Sequence, residues 1–235
     1  MKTILVLGGS GLVGHAIIVG FKNLNYYVVS VTQKSEVASA DESIKVDLTK
    51  RQRFNDLPQL SKFDLVVNTI AITNVRKCND LIQESFDLHV LLSRYLASNS
   101  KKYVYISSVA VYGDYSDEFS QRRTSLNNWY SKTKFFGEPG NNHLTLRINV
   151  IGLGSITNRS LLEWAYDELT KSKTITGFSN HFINPVLPEH VFEICNRYIN
   201  GKTSSGCYDV GSKDILSKYD ILDVLAKSIG KTQFL

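Results

Sequence analysis

Three groups of residues in this 235-residue chain could do chemistry. Tyr130-Ser131-Lys132-Thr133-Lys134 sets a tyrosine and a lysine four positions apart. On a helix that pair shares a face, so Lys134 can stand beside the Tyr130 phenol and lower its pKa, making it a general acid or base. A solvated helix face gives the same spacing with no chemistry. Upstream, Ser107-Ser108-Val109-Ala110-Val111-Tyr112-Gly113 follows a β-like run, and a hydroxyl there can hold a substrate carbonyl or alcohol beside Tyr130. The third group is Gly8-Gly9-Ser10-Gly11-Leu12-Val13-Gly14, with glycines at 8, 11 and 14. Glycines permit a tight turn and let backbone N–H groups at a helix N-terminus approach a pyrophosphate. A glycine turn without a ligand is the plain alternative.

The elements that must position these groups alternate. Strands are expected at Thr3–Leu7, Tyr26–Val31, Ile44–Val46, Asp64–Asn68, Tyr103–Ser107 and Leu144–Ile148. Helices are expected at Leu12–Leu24, Leu81–Ala97 and Trp129–Gly137, the last closed by Pro139-Gly140. Continuous apolar strands separated by amphipathic helices predict an α/β fold, a doubly wound parallel Rossmann sheet. After Asn149 the texture changes. Helices at Leu161–Leu169, Glu189–Ile199 and Tyr219–Ile229 surround short strand-like pieces at Thr174–Thr176 and Tyr208–Val210. The expected organisation is therefore a Rossmann domain over residues 1–150 and a small C-terminal α/β substrate-binding lobe over 151–235, interwoven with the first.

Composition narrows the function classes. With 43% hydrophobic and 21% charged residues the chain can bury a core, which excludes disorder and fibrous designs. The net charge of +5 comes from scattered residues, the longest groups being Lys50–Arg53, Lys101-Lys102 and Arg122-Arg123. A nucleic-acid binder concentrates its charge on one element, so anionic small substrates fit the excess better. Cys78, Cys195 and Cys207 are far apart and form no CxxC, which argues against disulfides and a metal site and for a reduced, cytoplasmic protein. Gly8–Gly11 interrupts the first apolar run, so a signal peptide is not expected, and nothing approaches the roughly 18 apolar residues of a membrane span.

Four motifs together resemble the extended short-chain dehydrogenase/reductases: Gly8–Gly14, Ser108 through Val111-Tyr112-Gly113, Tyr130 to Lys134 with Phe136-Gly137-Glu138, and Arg147-Ile148-Asn149-Val150. Tyr130–Glu138 and Asn68-Thr-Ile-Ala-Ile-Thr73 are similar to the dTDP-4-dehydrorhamnose reductase branch of the epimerase/dehydratase group. The resemblance implies a nicotinamide cofactor on Gly8, Ser10, Gly11, Leu12 and Gly14. It implies adenine contacts at Asp47 and Leu48, and Asn68 to Ala71 along the cofactor. Tyr130 would transfer the proton, Lys134 would bind the nicotinamide ribose, and Ser108, rather than Ser107, would orient the reacting oxygen. Asn149 would face the substrate, or else serve as a strand-end turn residue. Asp47 has a second reading as the cap of a short helix at Thr49–Leu57.

The implied substrate is a nucleotide-diphosphate sugar, reduced at a keto carbon; an epimerase and a non-catalytic NAD(P)-binding regulator are the alternatives, and a homodimer is compatible. At the end of the second strand, where an NAD-selective site carries an acid, stands Thr32, followed by Gln33-Lys34. Lys34 could neutralise a 2′-phosphate, so the expected cofactor is NADP(H), with NAD(H) the alternative. Three features depart from the family. His89 stands where an Asn is common, as a proton relay or a packed histidine. The chain ends soon after Ile229, leaving a minimal lobe or a truncated one. Arg122 and Arg123 lie in a short segment before Tyr130, as surface charge or as diphosphate ligands.

Overall fold

Uninterrupted β-prone runs such as Thr3–Leu7 can be satisfied only by neighbours on both sides and both faces, and the computed structural model provides them. It describes residues 1–113, 124–154 and 160–235. In chain order, β1 (Thr3–Leu7), α1 (Leu12–Asn23), β2 (Tyr27–Thr32), β3 (Glu42–Lys45) and β4 (Leu65–Asn68) form the first half. There follow α2 (Val75–Asp80), α3 (Ile82–Phe86), α4 (Leu92–Asn99), β5 (Tyr103–Ser108), α5 (Trp129–Phe136) and β6 (Leu144–Ile148). The remainder is α6 (Leu161–Thr170), β7 (Phe182–Ile183), α7 (Pro188–Ile199), β8 (Gly206–Val210), β9 (Leu216–Ser217) and α8 (Lys218–Ser228).

Seven strands form one parallel sheet in the order β3-β2-β1-β4-β5-β6-β8. The order reverses between β1 and β4, which opens a crevice at their carboxyl ends. Period-two alternation divides the core. Ile4, Val6, Val28, Leu65, Val67 and Val104 face α1 and α7, where Phe21 meets Phe192 edge-on at 5.2 Å. Leu5, Leu7, Val29, Val66, Tyr103 and Tyr105 face the opposite layer, against Leu88, Leu92 and Leu96. Each such side chain contributes about 1.5–3 kcal/mol by leaving water. A third cluster joins Ala165 and Leu169 of α6 to Leu222 and Ala226 of α8. Both helices begin with capping boxes, Ser160 with Glu163 and Ser217 with Asp220.

The expected fold class is the one observed, and the exceptions have physical reasons. The expected helix over Leu81–Ala97 is instead α3, a π-helical turn at Asp87–Leu91 and α4, preceded by a break at Leu81. Thr174–Thr176 is not a strand: Ile175 drops into the third cluster and its N–H donates to the Phe234 carbonyl. The strand expected at Tyr208–Val210 belongs to the main sheet, paired in parallel with β6. Residues after 150 therefore serve two structures. α7 and β8 complete the layers around the main sheet, while α6 and α8 stand around the third cluster and β7 and β9 form a separate antiparallel pair. Among the described residues no helix is long and apolar enough to cross a membrane.

Candidate active site

The crevice at the carboxyl ends of the strands widens into a cleft of about 2310 Å³. At its floor the chain turns from β1 into α1. Gly8 adopts φ +86°, and its carbonyl accepts the Gly11 N–H at 3.0 Å. A Cβ on Gly14 would lie 2.3 Å from that same carbonyl, so the turn closes only over a glycine. Gly11 is the N-cap of α1 and offers no side-chain cap, while a Cβ there would meet only the Gly8 carbonyl, at 3.4 Å. The first N–H groups of α1 thus have no side-chain cap, as a pyrophosphate cradle requires. Gly8, Ser10, Gly11, Leu12 and Gly14 all line the cleft.

The carboxyl end of β5 supplies the second wall. Ser108 caps the single 3₁₀ turn Val109–Tyr112, its Oγ accepting the Ala110 N–H at 3.2 Å. α5 opens with a capping box between Asn128 and Ser131, which sets Tyr130 in the first turn, facing Ser108. Loss of solvent pushes the Tyr130 phenol above its ordinary value, and a hydrogen bond with Ser108 partly offsets this. That corrects the expected lowering by Lys134. Lys134 does share the helix face and does line the cleft, but its Nζ donates to the Ile106 carbonyl at 2.7 Å and lies 4.2 Å from the centre of the Tyr105 ring. Burial lowers its pKa to about 7, against the pull of Glu138. Ser107, the competitor of Ser108, donates to Glu138 Oε1 at 2.7 Å.

The other expected residues divide. Thr32, Asp47, Leu48, Ala71 and Asn149 line the cleft. Asn68 does not: its amide is buried beneath the turn, donating to the Tyr103 hydroxyl at 3.1 Å and accepting the Ile70 N–H at 3.1 Å. It shapes the β4 turn from below. Lys34 is exposed and stands outside the lining, so the expected 2′-phosphate partner is not part of the wall. Asp47 is not a helix cap either; the 3₁₀ stretch Arg51–Asp56 is entered at Lys50 with no side-chain cap. Its Oδ1 accepts from Thr49 Oγ1 at 2.6 Å and from Gln33 Nε2 at 3.0 Å. Arg122 and Arg123 lie outside the described residues.

His89 resolves to the packed reading. The π-helical turn swings its ring inward, where Nε2 accepts the Ile72 N–H at 2.9 Å and Nδ1 meets Thr133 Oγ1 at 2.8 Å. With Nε2 an acceptor, Nδ1 carries the proton and the ring is neutral. Burial lowers its pKa to about 2. His89 thereby ties the β4 turn to α5, between Tyr130 and Lys134.

One constellation was not assigned from sequence. Arg147 of β6 grips Glu138 with two hydrogen bonds, Nε to Oε1 at 2.8 Å and Nη2 to Oε2 at 2.6 Å. Its Nη1 donates to the Tyr112 hydroxyl, which donates to Asp209 Oδ1 at 2.7 Å. The signal was an arginine within the apolar strand Leu144-Thr-Leu-Arg-Ile148, which a buried position tolerates only opposite a carboxylate. Among the described residues no group of three or more His, Cys, Asp or Glu could hold a metal ion.

Known proteins share this arrangement of elements. A model of the NAD dependent epimerase/dehydratase family matches residues 4–143. A UDP-glucose 4-epimerase of Drosophila melanogaster is 26% identical over 162 residues, covering 58% of this chain and 46% of that protein. The chain thus spans about half the length of that curated relative. Among solved structures, a hypothetical dTDP-4-dehydrorhamnose reductase from Sulfolobus tokodaii superposes with a TM-score of 0.81 at 21% identity, covering 97% of this chain and 82% of that one. A UDP-glucose 4-epimerase from Thermotoga maritima, solved with UDP-glucose, gives 0.83 at 15% identity, covering 98% and 83%. At these identities the two structures share the fold.

Proposed function

Because this chain belongs to the NAD dependent epimerase/dehydratase family, we propose that it is an NAD(P)-dependent oxidoreductase of a nucleotide-linked ketosugar. The observation that carries the reading is convergence: the uncapped α1 N-terminus, Ser108, Tyr130 and Lys134 all open on one cleft. The glycine turn fits a dinucleotide, since a side chain at Gly14 would collide with Gly8 and Gly11 faces space. A bound nicotinamide supplies hydride chemistry. The protein's part is the proton and the geometry. Tyr130 donates a proton to, or takes one from, the sugar oxygen, and Ser108 orients that oxygen. Lys134 adds positive charge beside the phenol when protonated and binds the nicotinamide ribose. Asn149 and the residues after 150 that line the cleft, among them Phe178, Asn180 and Phe182, receive the substrate. The third-cluster elements act as the substrate lobe, holding the nucleotide diphosphate.

Reversible 4-epimerisation uses the same side chains, and the Drosophila relative favours it as the second reading. The test is spectrophotometric. Wild-type protein with NADH or NADPH is offered a panel of nucleotide 4-ketosugars, and in parallel UDP-glucose with NAD. Net oxidation of reduced cofactor identifies the reductase; sugar interconversion without net cofactor change identifies the epimerase. Tyr130→Phe should bind cofactor normally and lose about 10²–10⁴-fold in turnover, the usual share of a general acid-base group. Near-normal turnover by that variant would remove the protein from this mechanism.

A further inference from the structure

Ser108 is the last residue of β5, so its hydroxyl is aimed by whatever holds the chain before and after it. The residue before, Ser107, donates to Glu138 Oε1 at 2.7 Å. The 3₁₀ turn that Ser108 opens ends at Tyr112, whose hydroxyl accepts from Arg147 Nη1 and donates to Asp209 Oδ1 at 2.7 Å. Both holds lead to one ion pair, because Arg147 grips the two Glu138 oxygens through Nε and Nη2. The sheet register brings these groups together. Ser107, Arg147 and Asp209 occupy one row across β5, β6 and β8, so their side chains leave the sheet on the same face. Glu138 enters from just beyond α5, the helix that carries Tyr130 and Lys134. The Arg147 and Glu138 side chains keep only 13% and 11% exposure, so water competes weakly for the fork. The guanidinium also lies 5.1 Å from the centre of the Tyr112 ring, a cation–π contact.

We infer that Arg147 and Glu138 are positioning residues: by fastening Ser107 and Tyr112, on either side of Ser108, to the end of α5, their fork holds the Ser108 hydroxyl against the Tyr130 phenol. The inference rests on the proposed roles of Ser108 and Tyr130 in proton transfer. Neither Arg147 nor Glu138 lines the cleft, so what they contribute to turnover passes through the residues they hold. That contribution is large where geometry decides the rate: a displacement of about 1 Å can cost about a hundredfold. The reach of a guanidinium is essential to it. A lysine amine presents its donors from one point and cannot serve both Glu138 oxygens and the Tyr112 hydroxyl together.

The test uses the full chain and two readouts. The first needs no substrate: the Cζ NMR resonance of Tyr130 in protein carrying isotope-labelled tyrosine, assigned as the signal that Tyr130→Phe removes. Ser108→Ala deletes the hydrogen bond to the phenol and shifts that resonance. Arg147→Lys keeps a charge beside Glu138 but breaks the fork. It should shift the Tyr130 resonance in the same direction, and add nothing once Ser108 is alanine. Tyr112→Phe leaves the ion pair whole and should give a smaller shift of the same sign; if Arg147→Lys does not fold, this variant decides by the same criteria. The second readout is turnover of whichever nucleotide 4-ketosugar the panel selects. Arg147→Lys should lower kcat about ten- to a hundredfold, leave KM and cofactor affinity within about twofold, and cost under about twofold in the Ser108→Ala background. A Tyr130 resonance that Arg147→Lys leaves in place overturns the inference. So does a shift that persists in full when Ser108 is alanine, since the fork then acts elsewhere. A resonance that moves as described in a protein that turns over no ketosugar upholds the positioning and overturns the proposed reaction.

Discussion

Acidification through the ordinary histidine range should destabilise the fold through His89, which stays neutral when folded and takes up a proton when unfolded. The ring is fully buried and neutral, with a pKa lowered to about 2 against an ordinary 6.5. In the unfolded chain it takes up a proton as pH falls through the ordinary value; in the folded chain it does not. The unfolded state therefore binds more protons, and stability falls with falling pH at about 1.4 kcal/mol per unit. Between about pH 7.5 and about pH 5 the loss is about 2 kcal/mol, and the sum is insensitive to the folded value, which lies far below that window. Lys134 adds a further loss of about 1 kcal/mol at the top of the window, near its folded pKa of about 7, and none lower down, where it is protonated in both states. The lowered carboxylates Asp41, Asp47 and Asp220 start from 3.8, so their losses come lower still. Urea unfolding followed by tryptophan fluorescence at the two pH values measures the slope. His89→Gln retains an acceptor for the Ile72 N–H but cannot be protonated, so across the window it should keep only the smaller Lys134 loss. An equal slope in wild type and variant would refute the buried neutral imidazole.

Gly14→Ala puts a Cβ 2.3 Å from the Gly8 carbonyl, so the turn must shift; about 1–3 kcal/mol of stability should go, and cofactor titration should show weaker binding. Arg147→Met leaves the part-buried Glu138 carboxylate without its fork and should cost about 1–3 kcal/mol in urea unfolding, with much of the loss recovered when Glu138→Leu is added; a neutral single variant would contradict the pairing. Lys134, at about 7 when folded and 10.5 ordinarily, should make the cofactor-free protein more stable as pH rises from about 7.5 to about 9, by about 2 kcal/mol, because only the unfolded chain keeps the proton. Lys134→Met should abolish that rise in thermal melts.

The sheet was legible because its strands are continuous apolar runs and its helices keep a 3.6-residue apolar face, so the doubly wound class followed from the alternation of elements, while the strand order came from the structure. What escaped depends on side-chain direction. Periodicity cannot register the one-residue expansion of a π-helical turn, so Leu81–Ala97 read as one helix and His89 had no assigned neighbour. Spacing put Lys134 and Tyr130 on one face but could not say that the amine would turn to Ile106. Asn68 was read as a cofactor contact from the resemblance of Asn68–Thr73 to the reductase branch, while its amide turns under the sheet to Tyr103. β8 gave a weak signal because it is an edge strand whose central residues Cys207, Tyr208 and Asp209 are exposed. Gln33 and Asp47 are 14 residues apart in sequence, and only the parallel pairing of β2 with β3 brings their side chains together.

The arginine fork on Glu138 also dates the site's completion during synthesis. Every residue proposed for the catalytic group, Ser108, Tyr130 and Lys134, precedes Glu138 in the chain and so leaves the ribosome before it. Glu138 must then wait nine residues for Arg147, and the Tyr112 hydroxyl waits far longer for Asp209, 97 residues downstream of it. A nascent chain halted near residue 143 would hold the cradle and all three of those residues, yet carry an acidic side chain due for burial with no cation to meet it. The fork and its Tyr112–Asp209 extension thus tie the ends of β5 and α5 to β6 and β8, strands that follow every one of those motifs in the chain.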